Sequence, residues 1–172
     1  NMVFPMSLTL NATAEIATAA DYPNFKLFTV PMTTAGAEER DVPVDPVKYP
    51  GQSQWIDTSP ENIANFSAVC YMAVREIARQ HTKSRPMGLI FSAWGGTRIE
   101  AWMSPRALKT CSDQGFVVPK GSNQNGASAL WNAMVAPYWI TGSLTGAGWS
   151  FAVTWTAATS KYSPITSEIT TK

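Results

Sequence analysis

Gly95 and Gly96 end a run, Gly88-Leu89-Ile90-Phe91-Ser92-Ala93-Trp94, that is apolar up to the glycines. Beyond them the chain is polar and Trp-containing, through Thr97-Arg98-Ile99-Glu100-Ala101-Trp102-Met103-Ser104. A strand that carries two glycines at its carboxyl end presents backbone N–H groups with no side chain in the way, at the place where open α/β sheets bind ligands. Either those amides meet a ligand or the glycines only make a tight turn. Arg98 and Glu100 flank the turn and either contact a ligand or pair with each other. Trp94 and Trp102 either stack on a sugar ring or belong to the core. Ser53 stands in Gly51-Gln52-Ser53, but Lys48-Tyr49-Pro50 precedes it, a Pro-containing loop and not the strand end that would fix a nucleophile. The one histidine, His81, follows Arg79-Gln80 and reads as a solvated helix end, and no other side chain suits a general base near neutral pH. With no Cys/His pair at zinc spacing, no phosphate-binding glycine loop and no paired acidic motif, neither a metal nor a cofactor is expected.

The elements that must hold these residues follow from local pattern. Phe25-Lys26-Leu27-Phe28-Thr29-Val30-Pro31 alternates between prolines and predicts a strand. Thr33 to Gln54 is charged and Pro-rich, a surface loop. Thr58-Ser59-Pro60-Glu61 is a helix start, with a capping hydroxyl, a proline in the first turn and an acid three residues after Thr58. Ile63, Phe66, Cys70, Ala73, Val74 and Ile77 recur at helical spacing, which predicts one helix down to about Gln80. Met87 to Ala93 is continuously apolar, as a parallel strand buried on both faces should be. Ser104-Pro105 opens a further helix that ends before Gly115. Residues 117–125 form a loop, and Ala127 to Val135 reads as a helix stopped by Pro137. Helix-then-strand order with short connections indicates an α/β fold.

Composition sets the outer limits. The chain has 172 residues, 45% of them hydrophobic and 15% charged, which describes a globular chain of at most one domain. A net charge of +1 supplies no field for nucleic acid or an anionic membrane, and no apolar run reaches the ~20 residues of a spanning helix. Cys70 and Cys111 permit one disulfide or two separate thiols. Asn11-Ala12-Thr13 and Asn65-Phe66-Ser67 fit the N-glycosylation acceptor pattern. The chain opens on Asn1-Met2 without a basic-then-apolar leader and looks like a piece of a longer precursor.

The segment from Gly88 to Ser104, with its Trp-Gly-Gly-Thr turn and Ile-Glu-Ala-Trp-Met-Ser continuation, resembles the sialate O-acetylesterase family of SGNH-type ester hydrolases. Residues 65–71, Leu108-Lys109-Thr110-Cys111 and Leu130-Trp131-Asn132-Ala133-Met134-Val135-Ala136-Pro137 resemble further pieces of that family in the same order. The resemblance implies a three-layer α/β sandwich with a parallel sheet, incomplete here. It divides the chain into a partial esterase domain, residues 1–137, and a divergent tail, residues 138–172. It also implies removal of O-acetyl groups from sialic acids by Ser–His acyl-enzyme catalysis, with no cofactor. One amide of the turn, that of Gly96 in preference to that of Gly95, would donate to the oxyanion, while Asn1, Thr97, Glu100 and Trp94 would contact substrate.

By the same resemblance, Asn1-Met2 are the end of a Ser-Gly-Gln-Ser-Asn-Met block whose nucleophile lies upstream. Trp149 matches a later block, but Trp155 stands where that block's oxyanion Asn belongs, and the block supplying the base would lie beyond residue 172. The chain alone is therefore expected to be inactive. Without the strand that precedes the nucleophile, the strand from Gly88 and the helix from Ile63 to Ile77 are expected to expose apolar faces and to compromise folding. An O-acetylated sialic acid or glycan is the implied substrate. A secreted or lysosomal setting, with N-glycans at Asn11 and Asn65, is the implied context. The alternatives are a xylan-type carbohydrate acetylesterase and a non-catalytic glycan-binding variant.

Overall fold

The computed structural model describes residues 2–45, 47–81, 86–118 and 121–140. Asn1, and the tail from 141 with Trp149 and Trp155, lie outside the described residues. Three strands form the sheet: β1, Phe25–Thr29; β2, Trp55–Asp57; and β3, Met87–Phe91. Their order is β2-β1-β3. β1 and β3 run parallel with Leu27 opposite Leu89, and Val30 N–H extends the ladder to the Phe91 carbonyl at 2.9 Å. The expected parallel pairing is present, and the structure adds an antiparallel edge. β2 pairs with β1 through Leu27 opposite Ile56, because the long loop after β1 doubles back without a crossover. The short β2 carries no alternation long enough to register as a strand in the sequence.

Both faces of β1 carry buried side chains, with Lys26 exposed, and the two sets seed two cores. Phe25 and Leu27 join Leu89, Met6, Tyr22, Ile63, Phe66 and Tyr71 on one face. Phe28 and Val30 join Val42, Ala101, Leu130, Ala133 and Met134 on the other. The first face is covered by α1 (Ala12–Ala17), α2 (Pro60–Ala64) and α3 (Ala68–His81). The second is covered by α4 (Ile99–Trp102), a π-helical stretch Trp131–Val135 and α6 (Ala136–Ile140). α5 spans Pro105–Asp113 and is capped by Ser104, whose Oγ accepts from Ala107 N–H at 3.1 Å. Helical layers on both sides of a sheet make the expected α/β sandwich.

Two helices depart from their sequence pattern. The single helix expected from Ile63 to Gln80 is broken at Asn65–Ser67. Ser67 forms a bridge with Pro5, and its Oγ accepts from Cys70 N–H at 3.2 Å, so it starts α3 afresh. Pro137 does not end its helix but sits inside α6. Ala136 N–H already reaches back to the Trp131 carbonyl in a widened turn, and a proline in the first turn that follows forfeits little. α6 thereby crosses the expected domain boundary between residues 137 and 138.

The expected exposure of β3 and of the Ile63–Ile77 segment is corrected only in part. Leu89 is 1% exposed and Ile63 fully buried, because β1 itself pairs with β3 and the N-terminal helices close over the face. Ile77 stays exposed at 40%, and Ile90 and Phe91 are half-buried. Cys70 and Cys111 are free thiols, both half-buried.

Candidate functional site

The end of β3 is held before the turn begins. Ser92 Oγ donates to the Met134 carbonyl at 3.0 Å, fixing the strand end against the π-helical stretch. Trp94, half-buried, packs on the second core. The chain then turns through Gly95 and Gly96, with Gly96 at φ 72, a backbone region that a side chain rarely tolerates. Both glycines are exposed, and a Cβ built on either would meet nothing within 4 Å. Nothing in the described chain fills the space in front of these two residues. The left-handed backbone alone accounts for glycine at 96. No such requirement applies to Gly95, where the structure shows only open space.

Thr97 braces the turn. Its Oγ1 donates to the Trp94 carbonyl at 2.7 Å and accepts from Trp102 Nε1 at 2.8 Å. Its hydroxyl is thus engaged within the chain, and Trp102 is tied to the turn while packing on the second core. Arg98 N–H donates to Asn125 Oδ1 at 2.8 Å. Glu100 lies in the first turn of α4 and its carbonyl accepts from Ser128 N–H at 3.0 Å. Among the described residues no ion pair joins Arg98 to Glu100.

Trp94, Gly95, Gly96 and Thr97 thus follow one another just beyond the carboxyl end of β3, and Glu100 lies in the first turn of α4. Asn1 is not among the described residues. Ser53 is placed elsewhere in role: it is nearly buried at φ 55, with its Oγ donating to the Pro43 carbonyl at 2.6 Å and its N–H to Thr29 at 3.0 Å. That hydroxyl pins a loop to the end of β1. Sequence reading missed Ser92, Asn125 and Ser128, which hold the turn from outside. Asn125 was signalled only by the run of turn formers in Gly121-Ser122-Asn123-Gln124-Asn125-Gly126, and Ser92 and Ser128 carried no signal. Among the described residues no group of three or more His, Cys, Asp and Glu side chains is gathered for a metal ion.

No protein-family model matches the chain. Sequence similarity runs to the sialate O-acetylesterases of Pongo abelii, 37% identical over 146 residues, and Homo sapiens, 36% identical over 146 residues. Each match covers 80% of this chain and 26% of the relative. The solved structure of a carbohydrate acetylesterase from Xanthomonas citri superimposes with a TM-score of 0.61 at 27% identity, over 80% of this chain and 27% of that one. The chain thus spans about a quarter of the length of the relatives it matches. Over 80% of its length, this chain is a homologue of the sialate O-acetylesterases.

Proposed function

We propose that the chain is part of a carbohydrate acetylesterase that removes O-acetyl groups from sialic acids, and that Gly95–Gly96 supplies an amide of its oxyanion hole. The observation that carries this reading is the 37% identity over 146 residues to a sialate O-acetylesterase. The open, side-chain-free turn at the end of β3 is its physical counterpart. A tetrahedral intermediate places negative charge on the former carbonyl oxygen, and a fixed N–H donor there lowers the barrier because it needs no reorganisation as the charge develops. Thr97, Ser92 and Asn125 supply that fixity. Glu100 and Trp94, beside the turn, are the candidate contacts to the sugar, and Asn1 would join them. The nucleophile and the base belong to other segments of the whole enzyme.

Acetate release from an O-acetylated sialoside tests this. The chain alone is expected to release none above background, since losing triad members costs about 10⁴–10⁶ in rate. A longer form that includes a Ser-Gly-Gln-Ser segment before Asn1 and the downstream blocks is expected to be active. Release by the short chain that disappears in Ser53→Ala would overturn the assignment. An acetylated xylan assayed alongside separates the sialate reading from the xylan-type one. Secretion or lysosomal delivery, with glycans on the exposed Asn11 and Asn65, completes the proposal and is read by glycosidase-sensitive mobility of the expressed protein.

A further inference from the structure

We propose that Trp102 is a positioning residue for the reaction, acting through Thr97 to aim the backbone N–H groups of the Gly95–Gly96 turn; this rests on the esterase reading above. Adjacent glycines leave a turn free to point its amides in several directions. A donor to a developing oxyanion acts without reorganisation only if its direction is set beforehand. A group outside the glycines must therefore set it.

The setting runs through hydrogen bonds of one fixed sense. An indole N–H can only donate, so Trp102 Nε1 makes the Thr97 hydroxyl its acceptor at 2.8 Å. That hydroxyl carries a single proton, which goes to the Trp94 carbonyl at 2.7 Å. The Trp94 carbonyl and the Gly95 N–H share a flat trans peptide and point opposite ways. Holding the carbonyl toward Thr97 thus turns the Gly95 N–H away from Thr97 and Trp102. The next peptide follows. Within residues 94–97 only Gly96 has a positive φ, at 72, which is the pattern of a type II turn. In a type I turn the Gly95–Gly96 peptide is flipped over, with the Gly96 N–H on the other side.

The far end of this relay is anchored in the core. Trp102 ends α4 next to the fully buried Ala101, and its ring packs on the second core, as does that of Trp94. With both rings held, the rotation of the peptide between Trp94 and Gly95 is what the Thr97 hydroxyl settles. The same bonds assign Thr97 its part. Its proton is committed to the Trp94 carbonyl, so it orients the turn and does not donate to substrate. Valine would fill the same space without the proton, and phenylalanine at 102 would keep a packed ring without the donor.

A double-mutant cycle on acetate release by the longer form tests the relay. Trp102→Phe deletes the donor and is expected to lower kcat about tenfold, with KM within about twofold of wild type. Thr97→Val is expected to lower kcat about 30-fold, and Thr97→Ser to restore it to within about threefold of wild type. Because Trp102 acts through Thr97, adding Trp102→Phe to Thr97→Val should lower kcat no further. An unchanged kcat in Trp102→Phe, a loss carried by KM, or the same tenfold loss in the Thr97→Val background would overturn the proposal. The 172-residue chain gives a second readout that involves no ester. Labelled with nitrogen-15, it is expected to show single sharp signals for the Gly95 and Gly96 amides, which broaden or split in Trp102→Phe. Signals unaltered in that variant would also overturn the proposal. A longer wild-type form that releases no acetate would sink the esterase reading and leave the effect on the turn amides standing. Acetate release at full kcat in Trp102→Phe would sink the positioning role alone.

Discussion

Gly96 is the residue on which the turn depends, and its φ of 72 gives it a consequence separable from catalysis. Gly96→Ala meets no steric obstacle beyond its own backbone, so its cost is the left-handed conformation, about 1–2 kcal/mol. Urea denaturation should show that loss, and in the longer form kcat should fall about 100-fold with KM little changed. Gly95→Ala carries no such backbone penalty and should leave stability within about 0.5 kcal/mol. Cys70 gives a pH dependence. Burial raises its thiol from 9.0 to about 11, so the folded chain keeps a proton that the unfolded chain has already released. The stability that this proton supplies is fully present below pH 9 and is lost as pH rises from 9 through 11. The urea midpoint should fall across that window, and Cys70→Ala should remove that part of the fall. The buried phenols of Tyr71 and Tyr138 are also shifted upward, and extend the decline to higher pH.

Elements read well where packing agrees with local pattern and poorly where a distant contact decides. β1, β3, α5 and the cap at Ser59, whose Oγ accepts from Asn62 N–H at 3.2 Å, were legible because their periodicity and capping chemistry are complete within a few residues. The break between α2 and α3 was not, because it depends on Pro5: Ala68 N–H bonds the Phe4 carbonyl at 2.8 Å, a contact from the far end of the sequence. β2 was invisible for the same reason, since its strand character is supplied by β1. In the site, the Trp-Gly-Gly-Thr turn was legible as a turn, but the supports from Ser92, Asn125 and Ser128 come from residues that look like ordinary loop formers. Ser67 gives the test at this scale. Ser67→Ala removes the acceptor for Cys70 N–H and should destabilise the chain by about 1 kcal/mol, read as a lower thermal midpoint. Amide exchange should quicken first at Val69 to Tyr71, where α3 begins.

At the scale of the molecule, the two cores share β1, and neither can be removed without exposing the other's strand. Pairing with β1 covers one edge of β3 and buries Leu89, which corrects in part the expectation that a chain lacking a further strand would leave β3 bare. One cooperative thermal transition by circular dichroism is expected for the 172-residue chain, and two separated transitions would show that the faces melt independently. The helix pairing supports the same unity. Arg75 on α3 bonds Glu15 on α1 at 2.6 Å and the Thr18 hydroxyl at 3.0 Å, closing the N-terminal helices onto the sheet's first face. The sheet order leaves one further consequence. With β1 on its inner side, β3 has an outer edge that no described strand occupies, where the Ile90 carbonyl meets the Cys70 thiol at 4.0 Å. Such an edge accepts any extended segment that reaches it, including the β3 of a second molecule. Concentrated solutions of this chain therefore carry a built-in tendency to knit edge to edge, and the outermost strand sets how long a sample stays monodisperse.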